Sequence, residues 1–146
     1  MKKLNKNTNT EVLPLVAQSI ATQVADLPVS FDLGYLEKIS RNNLKFIKEI
    51  ITIFLNEIPA AMEKISIELK DENWIQVANL AHRVKTNYMM LGMTPQEKNA
   101  LSIERMIKEN RFTPTIIITN VNQLIKDSSQ LYPILEKELE RRNQLS

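Results

Sequence analysis

The sequence predicts an all-α protein: an up-and-down antiparallel four-helix bundle with a short extra N-terminal helix. Three observations lead to this fold class. After residue 30, apolar residues recur at three- and four-residue steps, which is the period of an amphipathic helix. Only two glycines occur and aromatic residues make up 5%, so the turns and bulky side chains of a many-stranded sheet are lacking. The connecting segments span a few residues each, which places successive helices antiparallel.

The composition is that of a single globular domain. With 146 residues, 43% of them hydrophobic and 25% charged, the chain is long enough to bury one core. A formal net charge of +2 and scattered lysines and arginines do not favour nucleic acid as a partner. Cysteine is absent, so disulfides, thiol catalysis and cysteine-ligated metals are excluded. Neither a run of about 18 apolar residues nor a signal-peptide pattern occurs, so we expect a cytoplasmic protein without a membrane span.

An N-terminal arm over residues 1–30 precedes the helical domain of residues 31–146. The arm begins with a polar decapeptide, and Pro28 ends the weak helical period that follows it. That period is carried by four apolar residues, Val12, Val16, Ile20 and Val24. The sequence does not show whether this arm packs on the domain or on a partner.

A short helix and a long one are predicted before the turn "KDEN". The short helix buries Phe31, Leu36 and Ile39. Ser40 or Asn42 can cap the long helix, because their side chains accept hydrogen bonds from free backbone N–H groups. At Pro59, inside the long helix, we expect a kink rather than a break. The apolar stripe of the long helix comprises Ile47, Ile50, Ile51, Phe54, Ile58, Ala61, Met62, Ile65 and Leu69.

Three further helices follow the turn. The third helix runs from Trp74 to about Leu91, and Gly92 ends it because glycine tolerates the left-handed backbone of a helix terminus. "TPQE" is a capping box in which Thr94 caps the fourth helix and proline takes its first position. A second threonine–proline pair, at 113–114, starts the last helix. Its apolar stripe comprises Val121, Leu124, Ile125, Leu131, Tyr132, Leu135 and Leu139.

The single histidine, His82, lies in the middle of the third helix. At about 100° per residue, His82 lies about 140° from Val77 and beyond the arc of apolar residues that faces the core. We therefore expect a displayed ring, with Arg83 fully on the solvent side. An exposed imidazole with a pKa near ~6.5 is largely neutral at pH 7, so its lone pair is available for nucleophilic attack.

Two residues near His82 fit a reaction with phosphate. Ala78, one turn before the histidine, clears space beside the ring, and Lys85, three residues after it, reaches whatever the ring contacts. If the ring attacked a phosphoryl group, the lysine would offset the negative charge of the product. Each of these residues alone would be an ordinary part of a helix surface. Only their spacing relative to His82 makes them candidates for a functional role. Glu104 and Asp71 could lie near the histidine in space, which the sequence alone does not establish.

The string "ANLAHRVKTNYMMLGM" resembles the signature of histidine-containing phosphotransfer (HPt) domains of bacterial phosphorelays. In that signature an alanine precedes the histidine, an aliphatic residue and a lysine follow it, and a leucine–glycine pair comes about six residues later. The matching residues are Ala81, His82, Val84, Lys85, Leu91 and Gly92. The upstream string "FLNEIPAAMEKI" is similar to the helix that precedes the histidine in this family. The resemblance covers about residues 31–140.

The resemblance implies a phosphoryl carrier in two-component signal transduction, not an enzyme in its own right. His82 would accept a phosphoryl group from the aspartyl phosphate of a receiver domain, and Lys85 would stabilise the phosphate charge. The implied partners are response-regulator receiver domains and a hybrid histidine kinase, with Ala78, Arg83, Thr86 and Met89 at the contact. The carrier is expected to be a monomer that binds no nucleic acid, membrane or metal. It needs no cofactor of its own, since Mg²⁺ belongs to the receiver.

The chain departs from the family pattern just after Lys85. The family favours glycine or serine four residues after the histidine and small residues beyond it. Here Thr86 stands at that position, and its methyl group narrows the approach of a receiver. Tyr88 falls on the core side by its angle, whereas Met89 lies on the side of the histidine. These residues bear on transfer rate and partner choice.

Three other functions compete with the phosphoryl carrier. A helical interaction module without phosphotransfer, including a degenerate HPt-like domain, is favoured by the bulky residues after Lys85. A haem or metal protein is disfavoured because His82 points away from the core stripe and no Glu-x-x-His pair occurs. A stand-alone hydrolase lacks a second catalytic group near the histidine in sequence.

Overall fold

The computed structural model describes residues 29–145, which form five α-helices and no strand. The short helix α1 (Gly34–Ser40) precedes four longer ones, which are α2 (Leu44–Lys70), α3 (Trp74–Met90), α4 (Thr94–Lys108) and α5 (Pro114–Asn143). Each of these packs on the next, and α5 returns to α2, which closes an up-and-down antiparallel four-helix bundle. The predicted fold class is therefore confirmed. Predictions for residues 1–28 lie outside the described residues.

The apolar stripes of the four long helices meet in one core. Tyr88 is fully buried there, as its angle predicted, and its ring packs edge-on against Phe54 at a centroid distance of 5.9 Å. Its hydroxyl is hydrogen-bonded to the buried Ser128 hydroxyl at 2.7 Å, so the polar end of the ring is satisfied. Burial raises the pKa of Tyr88 far above its ordinary value. This bulky residue therefore leaves the surface around His82 clear.

The helix starts differ from the prediction at two places. Asn43 caps α2, its side chain accepting a hydrogen bond from the Phe46 N–H at 2.9 Å, so Ser40 and Asn42 do not cap it. Asn42 has a left-handed backbone (φ 61°), which places it outside the cap geometry. Thr94 is the first residue of α4 rather than its cap, because the fully buried Met93 takes the cap position.

Other helix limits agree with the sequence. Thr113 caps α5, as predicted. α2 continues through Pro59 without a break, as predicted, and the kink expected there stays a prediction. Among residues 29–145, no helix is long and apolar enough to cross a membrane.

Gly92 ends α3 in the left-handed conformation (φ 64°) that the sequence predicted. The chain before α1 crosses at this point, where the Asp32 N–H donates a hydrogen bond to the Leu91 carbonyl at 2.8 Å. A Cβ at position 92 would overlap the Asp32 carbonyl oxygen and lie 2.7 Å from the Asp32 Cβ. Glycine is thus required twice here, by its backbone angle and by the close approach of a second chain segment.

Candidate functional site

His82 lies at the middle of α3 with 57% of its side chain exposed. Val77, Ala81 and Val84, which define the core side of the helix, are buried. The prediction that the ring is displayed rather than buried is therefore confirmed. The histidine sits on a helix fixed at its end by Gly92 and along its length by the core, so its position is set by a rigid element.

The carboxylate of one residue, Glu104, contacts the polar groups around the His82 ring. Glu104 extends from α4, and its Oε2 lies 2.8 Å from Nδ1 of His82. Its Oε1 accepts a hydrogen bond from Lys85 Nζ at 3.2 Å, and its Oε2 accepts one from Lys108 Nζ at 3.1 Å. These four residues are called the Glu104 cluster below. Only 11% of the Glu104 side chain is exposed, whereas the histidine and both lysines reach solvent.

The charge state of Glu104 follows from its surroundings. Burial raises the pKa of this carboxyl, but hydrogen bonds from Lys108 and Lys85 outweigh burial and hold the pKa below its ordinary value. At neutral pH the group is therefore an ionised carboxylate, which can only accept hydrogen bonds. Nδ1 of His82 must then carry the proton of the Nδ1–Oε2 hydrogen bond.

When the ring is neutral, this hydrogen bond leaves the lone pair on Nε2. No hydrogen bond or ion pair engages this nitrogen within residues 29–145. A neutral imidazole with one nitrogen held by a carboxylate and the other free can act as a nucleophile toward an incoming electrophile. The two lysines and the one carboxylate leave a local charge of about +1 beside it, which suits an anionic reactant.

The remaining predicted residues are placed as follows. Arg83 and Thr86 are exposed, and Met89 is half-buried. Ala78 is fully buried, which corrects the expectation that it lies on the surface at a partner contact. The reason is that α3 packs most extensively against α4, so the buried arc of α3 is wider than its apolar stripe indicated.

The sequence named Glu104 only as a possible neighbour of His82, and it did not indicate Lys108. Glu104 falls within the buried stripe of α4, between Ile103 and Ile107, and an acid at such a position indicates a paired carboxylate. Lys108, four residues on, lies one helical turn from it. The residue of α3 that lies next to Glu104 and Lys108 depends on how α3 and α4 are aligned along their axes, which the sequence does not show. Asp71, the other acid considered, follows α2 and is not part of the Glu104 cluster.

The described part of the chain contains no group of three or more histidine or acidic residues that could hold a metal ion. The cluster brings together one histidine, one carboxylate and two lysines, and ammonium groups are not metal ligands. The chemistry open to these residues includes nucleophilic attack, proton transfer and charge stabilisation.

Comparison with known proteins does not assign the chain to a family. No family model matches it, and no solved structure gives a significant match. The chain is 26% identical over 141 residues to the B subunit of the aspartyl/glutamyl-tRNA(Asn/Gln) amidotransferase of Malacoplasma penetrans (strain HF-2). The match covers 92% of this chain and 29% of that protein, so the chain spans less than a third of the relative's length.

Proposed function

We propose that this protein is a phosphorelay intermediate, in which His82 accepts a phosphoryl group from a receiver-domain aspartyl phosphate and passes it to another receiver. The observation that carries the proposal is the His82–Glu104 pair: an exposed imidazole whose Nδ1 lies 2.8 Å from a buried carboxylate oxygen. The HPt-like string around His82 favours the same function.

The transfer step follows from this geometry. The Nε2 lone pair forms the N–P bond while the bond from phosphorus to the aspartyl oxygen breaks, and the aspartate leaves as a carboxylate with the bonding electrons. Nδ1 keeps its proton, so the phosphorylated ring is cationic and its charge faces Glu104. Onward transfer reverses these bond changes on the aspartate of a second receiver.

Lys85 and Lys108 counter the charge of the phosphoryl group. Lys85 is one quarter exposed and follows His82 by three residues, so its ammonium reaches from the carboxylate toward a group on the ring. Lys108 compensates Glu104 from α4, which allows Lys85 to turn toward the phosphate without leaving the carboxylate unpaired. Lys85 is thus the phosphate-stabilising residue of the proposal, and Lys108 supports it.

In this proposal the partner supplies the acidic pocket and the metal ion. A receiver domain brings an acidic pocket with Mg²⁺, which polarises the phosphoryl group, and a hybrid histidine kinase provides such a receiver. The exposed Arg83 and the lysines of the Glu104 cluster present positive charge to that acidic pocket. We propose that the carrier is a monomer in the cytoplasm.

The direct test is phosphotransfer from a panel of ³²P-labelled receiver domains, with a known HPt protein as positive control. We expect acid-labile, alkali-stable label on the wild-type chain and none on His82→Gln. Gln76→Asn, an exposed change on another face of α3, serves as the matched control and should label normally. Circular dichroism checks that all three chains are equally helical.

Two results would overturn the proposal. Label of equal intensity on His82→Gln would place the phosphoryl group elsewhere. Absence of label from every receiver that phosphorylates the control protein would leave the helical interaction module as the function.

A further inference from the structure

A shallow depression of about 390 Å³ lies on the exposed face of α4. Its apolar lining is formed by the half-buried side chains of Leu101 and Met106. Four charged and exposed residues surround them, which are Lys98, Arg105, Glu109 and Arg111. We call these six residues the α4 surface.

The α4 surface is positively charged. Lys98, Arg105 and Arg111 contribute three positive charges. Glu109 contributes one negative charge, which leaves a net charge of about +2. The formal net charge of the whole chain is also +2, so the rest of the sequence is neutral on balance. None of these four side chains is in an ion pair or a hydrogen bond with another of residues 29–145, so their charge is not used to hold the bundle together.

Two other depressions of the bundle differ from the α4 surface in charge. The groove between α2 and α5 is lined by Glu136 and Glu140, which makes it acidic. The opening between α2 and α3 is lined by Lys64 and Arg83, but Glu57 offsets one of their charges. Of the three depressions, the α4 surface is therefore best suited to an acidic partner.

The lining of the α4 surface favours an acidic protein over a nucleic acid. Single-stranded nucleic acids bind through bases that stack on aromatic rings, and no aromatic residue lines this surface within the described chain. Binding to the phosphates of a duplex depends on a larger number of lysines and arginines than the three present here. Leu101 and Met106 offer contact area to apolar side chains instead.

We propose that the α4 surface binds an acidic amphipathic segment of a partner protein. The surface extends along α4 from Lys98 to Glu109, a separation of about 16 Å. This length corresponds to about three turns of a partner helix. The apolar side of that helix would pack on Leu101 and Met106, and its carboxylates would pair with the three cations.

A segment bound to the α4 surface would also affect the Glu104 cluster, and this consequence alone rests on the proposed function. Lys108 is half exposed and follows Arg105 by three residues, so the two side chains are neighbours on α4. A carboxylate of the bound segment would draw Lys108 away from Glu104. Lys85 would then be needed to pair with Glu104 and would no longer turn toward a phosphoryl group, so phosphotransfer would slow.

The primary experiment measures peptide binding to the full chain by fluorescence anisotropy. The probe is a fluorescein-labelled dodecapeptide that repeats Glu-Leu-Glu-Glu three times, and a second peptide carries glutamine in place of each glutamate. Fluorescein-labelled poly(U) RNA tests the nucleic acid. We expect the acidic peptide to bind, with an affinity that falls as the ionic strength rises, and the other two probes to bind much more weakly. No binding of the acidic peptide, equal binding of the glutamine peptide or tighter binding of poly(U) would overturn the proposal.

Substitutions locate the binding site. Lys98→Gln and Arg105→Gln should each weaken binding by about two- to fivefold, the effect of one exposed charge. Lys64→Gln, which removes an exposed lysine of α2, is the matched control and should bind as the wild type does. An equal loss in Lys64→Gln would show that only the overall charge matters and would contradict the proposal.

NMR maps the same site on the wild-type chain without any substitution. Titration with unlabelled acidic peptide should shift the amide signals of residues 98–111 most strongly. Shifts that are largest on α2 or α5 would overturn the proposal.

The transfer assay separates this proposal from the proposed function. The acidic peptide should slow the labelling of the wild type, and it should slow the labelling of Arg105→Gln less. Peptide binding without any labelling would leave the α4 surface standing and overturn phosphotransfer alone. Labelling that a saturating amount of peptide does not slow would overturn the predicted effect on the Glu104 cluster.

Discussion

His82 and Arg83 are neighbours in the chain, yet their surroundings differ completely. The imidazole is held at 2.8 Å by a buried carboxylate of α4 and belongs to a closed set of ionic contacts. The guanidinium, about 100° further around α3, lines an open groove and has no ion-pair partner within the described chain.

The difference originates in how closely the neighbouring helices pack. α3 packs extensively against α4, which brings Glu104 within hydrogen-bonding distance of His82, whereas α2 leaves an opening of about 400 Å³ beside Arg83. The closely packed side of α3 can fix a reactive group and its tautomer. The open side leaves charge and apolar surface free for recognition.

The largest effect is expected from Gly92→Ala, which disturbs both sides because it moves the end of α3. The new methyl group would overlap the Asp32 carbonyl and force a left-handed alanine, so the free energy of unfolding should fall by about 2–4 kcal/mol. Urea unfolding measures the change. Gly34→Ala is the matched control, because its Cβ would meet only the Asp32 carboxylate oxygen, at 3.0 Å. Equal losses in both variants would show that Gly92 is not an anchor.

Glu104→Gln disrupts the ionic contacts on the closely packed side of α3 and leaves the open side unchanged. The variant keeps the size of the side chain but loses the charge that fixes the Nδ1–H tautomer, so the rate of phosphotransfer to His82 should fall by about tenfold or more. Single-turnover labelling at saturating receiver measures the rate. Glu57→Gln, on the open side, should leave this rate unchanged. An unchanged rate in Glu104→Gln would mean that the carboxylate has no part in orienting the histidine.

The same variant predicts a difference in acid stability. Because the pKa of Glu104 is lowered in the folded protein, the carboxylate contributes stability above the ordinary carboxyl pKa, and this contribution is lost as the pH falls through the lowered value. The free energy of unfolding of the wild type should therefore exceed that of Glu104→Gln by about 1–2 kcal/mol at pH 7. The two free energies should converge at acidic pH. Urea unfolding across this pH range tests it. A difference that does not depend on pH would assign the loss to packing rather than charge.

Some features of this arrangement were readable from the sequence. The bundle follows from the spacing of apolar residues, and the display of His82 and the burial of Tyr88 follow from their angles on one helix. Gly92 was readable because its role depends on the local backbone. Each of these properties belongs to a single helix or its end.

The features that the sequence did not show depend on two elements at once. The contact of Glu104 with His82 requires the register of α4 against α3, which no spacing within either helix contains. Ala78 is buried because α4 covers it, although its angle placed it near the edge of the exposed face. Asn43 rather than Asn42 caps α2 because the turn after α1 places two residues in the left-handed conformation.

The smallest expected effect concerns Thr86, which stands on the histidine's helix one turn after the ring and is exposed. Its methyl group is a departure, at the surface, from the HPt signature that the sequence resembles, whereas the departure at Tyr88 is buried. Thr86→Ser removes the methyl and keeps the hydroxyl, so transfer at subsaturating receiver should accelerate by about two- to fivefold. This change in rate is smaller than the change that one methylene group causes inside a closed pocket, because the surface around Thr86 is open to solvent.

Thr86→Val is the matched control for this change, because it keeps the branched shape and replaces the hydroxyl. Its rate should equal that of wild type if shape limits the approach of the receiver. If Thr86→Val were as fast as Thr86→Ser, the hydroxyl and not the methyl would be the hindrance. If both variants transferred at the wild-type rate, receiver access would be set beyond this turn of α3, and the next residue to vary would be the half-buried Met89.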